Sequence, residues 1–315
     1  MYLFRLITNG LAPLTLLGAI IAYLAPEVFI WIKPYFQWLF AATMFALGVV
    51  LQPEDLRETL TRPKAIGLGV LTQYTIMPAL GFAAAWFSGL PPELALGFII
   101  VACAPGAMAS NVIVYLAGGA VAYSIALTTV ATFLSPLLTP AMVKWMGSVY
   151  LDIPFWPMMQ TILMTVLLPL IIGFGIRHLL QRQGKAALSV AEQVAPALAS
   201  LAIILICSYA VSANQGRLAS VGVTLITVVV VVNALGYLLG WQAARLFGFD
   251  GRHQLTLAIE IGMQNAGLGV VLALKHFEPE TALPGALFAV WCILTSAGAA
   301  AYLRRSRHRE ALLTP

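Results

Sequence analysis

Between Glu260 and Gly267 the chain reads Glu-Ile-Gly-Met-Gln-Asn-Ala-Gly, a carboxylate and two carboxamides set among apolar residues and glycines. Glu260 is the acidic residue that falls deep inside an apolar run. The other acids, such as Glu27, Asp152, Glu192, Asp250 and Glu278, lie in or beside connections, and Glu93 stands at a helix start, where it complements the helix dipole. An ionisable side chain at mid-membrane depth is costly and points to function. A buried carboxylate must neutralise or find a partner. No Lys or Arg falls at that depth, which leaves a bound cation or a proton, or a protonated acid held by hydrogen bonds alone. Gln264 lies four residues after Glu260 and shares its face if the segment stays helical, Asn265 takes the adjacent face, and Gly262 and Gly267 permit the backbone to open.

A second polar step runs Ala-Pro-Gly-Ala-Met-Ala-Ser-Asn from Ala104 to Asn111. Pro105 removes a backbone donor and Gly106 lowers helicity, so the helix is expected to break there and to restart at Ser110 and Asn111. In lipid the freed carbonyls are tolerated only where protein buries them or a cavity exposes them. The alternative is a proline kink that repacks without a ligand. Further on, Ser124, Thr128 and Thr132 recur every four residues, with Thr129 and Ser135 close by. Hydroxyls also pack well between membrane helices and bond their own carbonyls, so the stripe alone decides nothing. Gln73, Tyr74 and Thr75 add a polar step before Pro78, with Gln73 expected to face the break. Carboxylate, carboxamide, hydroxyl and carbonyl oxygens of low total charge suit a monovalent cation better than calcium, which recruits several carboxylates, or zinc, which favours nitrogen and sulfur.

The elements that hold these residues are membrane helices. Of 315 residues 61% are hydrophobic and 9% charged, with a mean hydropathy of +0.92. That composition describes an all-α polytopic membrane protein with one membrane domain, 1–315, and no soluble domain. The net charge of +5 gives no reason to invoke nucleic acid. Apolar runs predict ten helices: Thr8 to Ala25, Tyr35 to Leu51, Ala65 to Phe87, Glu93 to Leu116, Val121 to Trp145, Trp156 to Leu180, Val194 to Val211, Val221 to Leu246, Leu255 to Lys275 and Ala282 to Leu303. The first is read as a membrane helix rather than a signal peptide. With both termini cytoplasmic, 13 Lys and Arg, including Arg5, Arg57, Arg62, Arg177 and Arg252, fall inside and four (Lys33, Lys144, Arg217 and Lys275) outside, out of 17. Five helices per half force the halves, about 1–150 and 151–315, to be inverted repeats, and the two polar interruptions fall in the fourth and ninth helices, at corresponding positions. Cys103, Cys207 and Cys292 are far apart without ligand spacing and read as buried small hydrophobes. His178, His253, His276 and His308 sit near helix ends, and no paired intramembrane carboxylate or Gly-x-Ser-x-Gly motif supports an enzyme.

Met44-Phe45-Ala46-Leu47-Gly48, Cys103-Ala104-Pro105-Gly106 with Ser110-Asn111, and Glu260-Ile261-Gly262-Met263-Gln264-Asn265 together resemble the bile acid:sodium symporter family over nearly the whole chain. The resemblance implies a panel domain of helices 1, 2, 6 and 7 and a core domain of the other six, with helices 4 and 9 crossed and unwound. It implies two sodium sites. One would use Ser110, Asn111, Ser124, Thr128 and Glu260; the other Gln73, Glu260, Gln264 and the carbonyls of Ile261 and Met263. Asn265, Met108, Cys292 and Ile293 are expected beside the substrate. Where many relatives carry His-Asn after the tryptophan, this chain has Cys292 and Ile293, so the expected substrate is a small or amphipathic organic anion, such as a bile acid, pantoate or a keto acid. Two Na⁺ against one carboxylate leave about +1, which a monoanion would neutralise. The expectation is therefore sodium-coupled symport by alternating access, by a monomer in a bacterial-type plasma membrane; proton coupling through Glu260 is the alternative.

Overall fold

The computed structural model describes residues 11–52, 61–183 and 185–313, and helix is the regular structure throughout them. The predicted helix start at Thr8 and the charges of Arg5 and Arg57 lie outside the described residues. The α-helices of eight residues or more are α1 (Leu11–Leu24), α2 (Phe36–Val50), α3 (Pro63–Phe87), α4 (Pro92–Ala102), α5 (Ser110–Ala117), α6 (Val121–Gly147), α7 (Phe155–Ile162), α8 (Leu168–Gln183), α9 (Lys185–Ser212), α10 (Gln215–Leu246), α11 (Gly251–Gly262), α12 (Ala266–His276) and α13 (Leu283–Leu313). Five helical stretches are long and apolar enough to cross a membrane: Pro63–Phe87, Val121–Gly147, Phe155–Arg182, Leu188–Ser212 and Gly222–Leu246. Shorter apolar helices stand between them, among them Phe36–Val50, Pro92–Ala102 and Ala266–His276.

Local sequence explains where the helices stop. α4 ends just before Pro105, whose ring disfavours α geometry in the residue preceding it. α5 closes on Gly118 at φ 68°, the left-handed cap that glycine adopts without penalty. α11 starts on Asp250, whose carboxylate accepts from the amides of Arg252 (2.9 Å) and His253 (3.0 Å). Pro136 and Pro140 lie inside α6 without ending it. A π-helical turn at Leu163–Leu167 joins α7 to α8, within what the sequence predicts as one regular helix.

The helices associate in two groups. In the first, α2 packs on α8 and α9, and α9 on α1. The α2–α8 crossing is backbone on backbone: a Cβ at Gly48 would stand 2.1 Å from the Leu170 carbonyl, and one at Gly173 the same distance from that of Phe45. Buried Arg177 closes the C-terminal end of α2 by donating to the Val49 carbonyl (3.0 Å) while pairing with Glu192 (2.9 Å). In the second group α3 packs on α4, α6 and α10, α10 lies along α11, and α13 meets α4, α5 and α12. The groups touch where α6 meets α7 and where α9 meets α12 and α13. Outward-facing Trp38, Trp86, Trp145 and Trp156 sit at helix ends, as side chains do that anchor at a lipid–water boundary.

Candidate functional site

Both interruptions form as backbone breaks, and they meet. Residues 103–109 separate α4 from α5, residues 263–265 separate α11 from α12, and Gly106 and Gln264 pair as a single antiparallel β-bridge. The Ala107 amide donates to the Met263 carbonyl (2.9 Å) and the Asn265 amide to the Pro105 carbonyl (2.8 Å). Side chains satisfy four more of the freed carbonyls. Gln73 Nε2 donates to Ala104 (3.0 Å), Thr139 Oγ1 to Cys103 (2.8 Å), Gln264 Nε2 to Ile261 (2.8 Å) and Asn233 Nδ2 to Gly262 (2.9 Å). This is the burial by protein that irregular backbone in a membrane requires.

Glu260 lies on the last turn of α11, fully buried, beside the bridge. Ser110 at the start of α5 donates to Oε1 at 2.5 Å, Ser124 on α6 reaches the same oxygen, and Thr128 one turn along meets Oε2 at 2.9 Å. Ser124 Oγ also faces Asn111 Oδ1 (2.7 Å), and Thr128 Oγ1 also faces Asn111 Oδ1 (3.4 Å) and the Ser124 carbonyl (2.7 Å). The structure thus gathers Ser110, Asn111, Ser124, Thr128 and Glu260 from three helices into one oxygen cluster. Each hydroxyl carries one proton, yet Ser124 faces two acceptors and Thr128 three. Lone pairs therefore converge there without enough donors, an arrangement that attracts a cation. Gly106 makes the approach possible, since a Cβ there would stand 2.9 Å from Glu260 Oε2.

The other predicted ligands cluster around Gln264. Gln73 Nε2 donates to Gln264 Oε1 (2.7 Å), and Gln264 reaches the Ile261 carbonyl. The segment opens, as Gly262 and Gly267 permit: α11 stops at Gly262, so Gln264 stands in the bridge, and its proximity to Gln73 comes from the break rather than from helix periodicity. The Met263 carbonyl faces the Ala107 amide, and it lies with Glu260 Oε2 and the Glu260 carbonyl within 4 Å of the point a Gly106 Cβ would occupy.

The predicted substrate residues divide. Asn265 caps α12, its Oδ1 accepting from the Leu268 amide at 3.1 Å, a role the Asn-x-x-Leu spacing could have disclosed. Met108 lies half-buried in the first break. Cys292 is packed inside α13, its Sγ against the Ala289 carbonyl, and Ile293 beside it is half-buried. Two cavities open elsewhere. One of about 380 Å³ involves Glu93, Asn214, Glu278 and Glu280, and one of about 360 Å³ involves Arg62, Tyr123, Asp250, Arg252 and His253. In the second, a hydrogen bond from the His253 ring holds the Asp250 carboxyl below the usual carboxylate range, helped by the His253 amide. That network, with Arg62 Nη1 3.3 Å from His253 Nε2, was not anticipated from the sequence.

Comparison with known proteins agrees with this chemistry. The profile of the sodium bile acid symporter family matches residues 38–221. An uncharacterized sodium-dependent transporter of Bacillus subtilis, YocS, is 37% identical over 284 residues, 90% of this chain and 87% of its own. The probable sodium/metabolite cotransporter BASS1 of Arabidopsis thaliana chloroplasts is 32% identical over 298 residues (93% and 73%), and rice BASS2 31% over 305 residues (96% and 72%). With apolar helices around an intramembrane oxygen cluster, and with similarity of this extent to sodium-dependent transporters, the chain belongs to the sodium bile acid symporter family.

Proposed function

We propose that this protein couples the movement of two Na⁺ to uptake of a small organic monoanion by alternating access. The observation that carries the reading is the excess of oxygen lone pairs over protons around Glu260. One Na⁺ would take Ser110, Asn111, Ser124, Thr128 and Glu260. The second would take Gln73, Gln264, Glu260 and the carbonyls of Ile261 and Met263, displacing the Gln73–Gln264 hydrogen bond. The anion would then balance the remaining positive charge beside Asn265, Met108, Cys292 and Ile293, near the N-termini of α5 and α12, which offer backbone amides to a carboxylate.

In this reading the helices form ten spans in two inverted five-helix repeats with both termini cytoplasmic. The group built on α1, α2, α8 and α9 is the panel, and the group holding the breaks is the core that rocks against it. Purified protein in proteoliposomes tests the coupling. An inward Na⁺ gradient should drive uptake of the anion, and choline in its place at constant pH should abolish it. Glu260→Ala should remove sodium-driven uptake while the protein still inserts and folds; full uptake by that variant at saturating Na⁺ would overturn the assignment. A thermal-shift screen of small organic anions, with and without Na⁺, would name the substrate class through sodium-dependent stabilisation.

A further inference from the structure

Thr132 belongs to the hydroxyl stripe of α6, and neither oxygen cluster uses it. Its Oγ1 is buried and has no hydrogen-bond partner among the described residues. Such an orphan stands out, because threonines on these helices commonly return their hydroxyl to the carbonyl four residues back, as Thr43, Thr72, Thr128, Thr165 and Thr256 do. Thr132 does not, which leaves its hydroxyl without a partner on its own helix.

Its position follows from its neighbours. At about 100° per residue, positions 128, 132 and 139 fall within about 40° of one another around α6. Thr128 on that face reaches Glu260 Oε2, and Thr139 reaches the Cys103 carbonyl at the start of the first break. Thr132 lies between them, about 6 Å along the axis from Thr128. Tyr74, the neighbour of Gln73, donates to the Ala131 carbonyl at 3.0 Å, which sets this turn of α6 against the part of α3 that carries Gln73. The face of α6 that carries Thr132 is therefore the one set against the two breaks.

We infer that Thr132 Oγ1 is a further ligand of the second cation, the one at Gln73 and Gln264. The inference rests on the symport reading above and deepens it. The first cluster already presents an oxygen from each of its five residues. The second also draws on five residues, but two of its oxygens, the Ile261 and Met263 carbonyls, already accept from Gln264 Nε2 and the Ala107 amide, which leaves room for a further ligand. A neutral hydroxyl adds an oxygen without adding charge, and cation binding would satisfy a group otherwise left buried and alone.

The experiment is a Na⁺ titration of the thermal stability of the full-length protein, paired with ²²Na⁺ binding, for the wild type, Thr132→Val, Thr132→Cys and Thr132→Ser. Valine and cysteine hold the volume without offering a hard oxygen, so one substitutes for the other if either fails to fold. Both should raise the half-saturating Na⁺ concentration about tenfold, the size of one lost charge-assisted contact, and lower the number of ions bound at moderate Na⁺. Serine should titrate as the wild type does. Wild-type titration by valine or cysteine, or serine as impaired as valine, would overturn the inference and assign the site to an ordered water or to packing. Gln264→Ala separates this failure from a deeper one: if it weakens Na⁺ binding and Thr132→Val does not, only the role of Thr132 falls. A wild type that binds no Na⁺ would remove the symport reading and Thr132's role together.

Discussion

Glu260 draws hydroxyls from α5 and α6, and among the described residues no cationic side chain pairs with it. Its neighbour across the crossing, Gly106, is as specific a requirement. Gly106→Ala would press a methyl to 2.9 Å from Glu260 Oε2, so the expected outcome is an about tenfold or greater loss of Na⁺ affinity with little change in sodium-free stability, read by Na⁺ titration of thermal unfolding. Asp250 tests an unrelated site. Its carboxyl sits below the ordinary range, so it stabilises the fold above the unfolded-state value and that contribution fades as pH falls through the lowered one. Asp250→Ala removes the cap of α11 and should cost about 1 kcal/mol near neutrality, the exposed carboxylate's charge adding little beyond the cap, with the gap from the wild type narrowing below about pH 4. At this scale the sequence was informative where chemistry is rare. One deep carboxylate and a Ser-Asn pair after Pro-Gly identify themselves by type. Gln264 shares a face with Glu260 only if the segment stays helical, and Gly262 ends the helix first; Thr132 differs from Thr128 in having no hydrogen-bond partner, which spacing does not encode.

Among the elements, the breaks were legible because proline and glycine act locally, whereas their crossing was expected from the family resemblance alone, and the bridge that joins them, between positions more than 150 residues apart, has no local marker. The π turn at Leu163–Leu167 has no marker in its residues. The α2–α8 crossing depends on two absent side chains. Gly48→Ala or Gly173→Ala places a Cβ 2.1 Å from a carbonyl, and each should destabilise the protein by about 1–3 kcal/mol or more, lowering its unfolding temperature at every Na⁺ concentration. That behaviour differs from Gly106→Ala, whose effect should grow with Na⁺. A Gly48→Ala protein as stable as the wild type would mean that α2 and α8 can separate at little cost.

For the whole molecule, composition alone made a lipid-embedded helical chain legible, while the division into two packed groups depends on long-range contacts that composition does not contain. Thr161 on α7 and His276 at the end of α12 meet at 2.8 Å across that division. If the groups rock, this contact opens and closes. A short thiol-specific crosslinker joining Thr161→Cys to His276→Cys should stop uptake, with a reducible linker restoring it on cleavage; undiminished uptake when crosslinked would show that the groups do not part there. The bridge between Gly106 and Gln264 also bears on how the chain is made. Synthesis delivers the first break to the bilayer long before the second exists, so the Pro105 carbonyl and the Ala107 amide wait without their native partners. Membrane insertion of this protein should therefore pass through a state that needs shelter, from the insertion machinery or a chaperone, until residues 263–265 arrive, and chains stalled before residue 251 should be preferred substrates for membrane proteases.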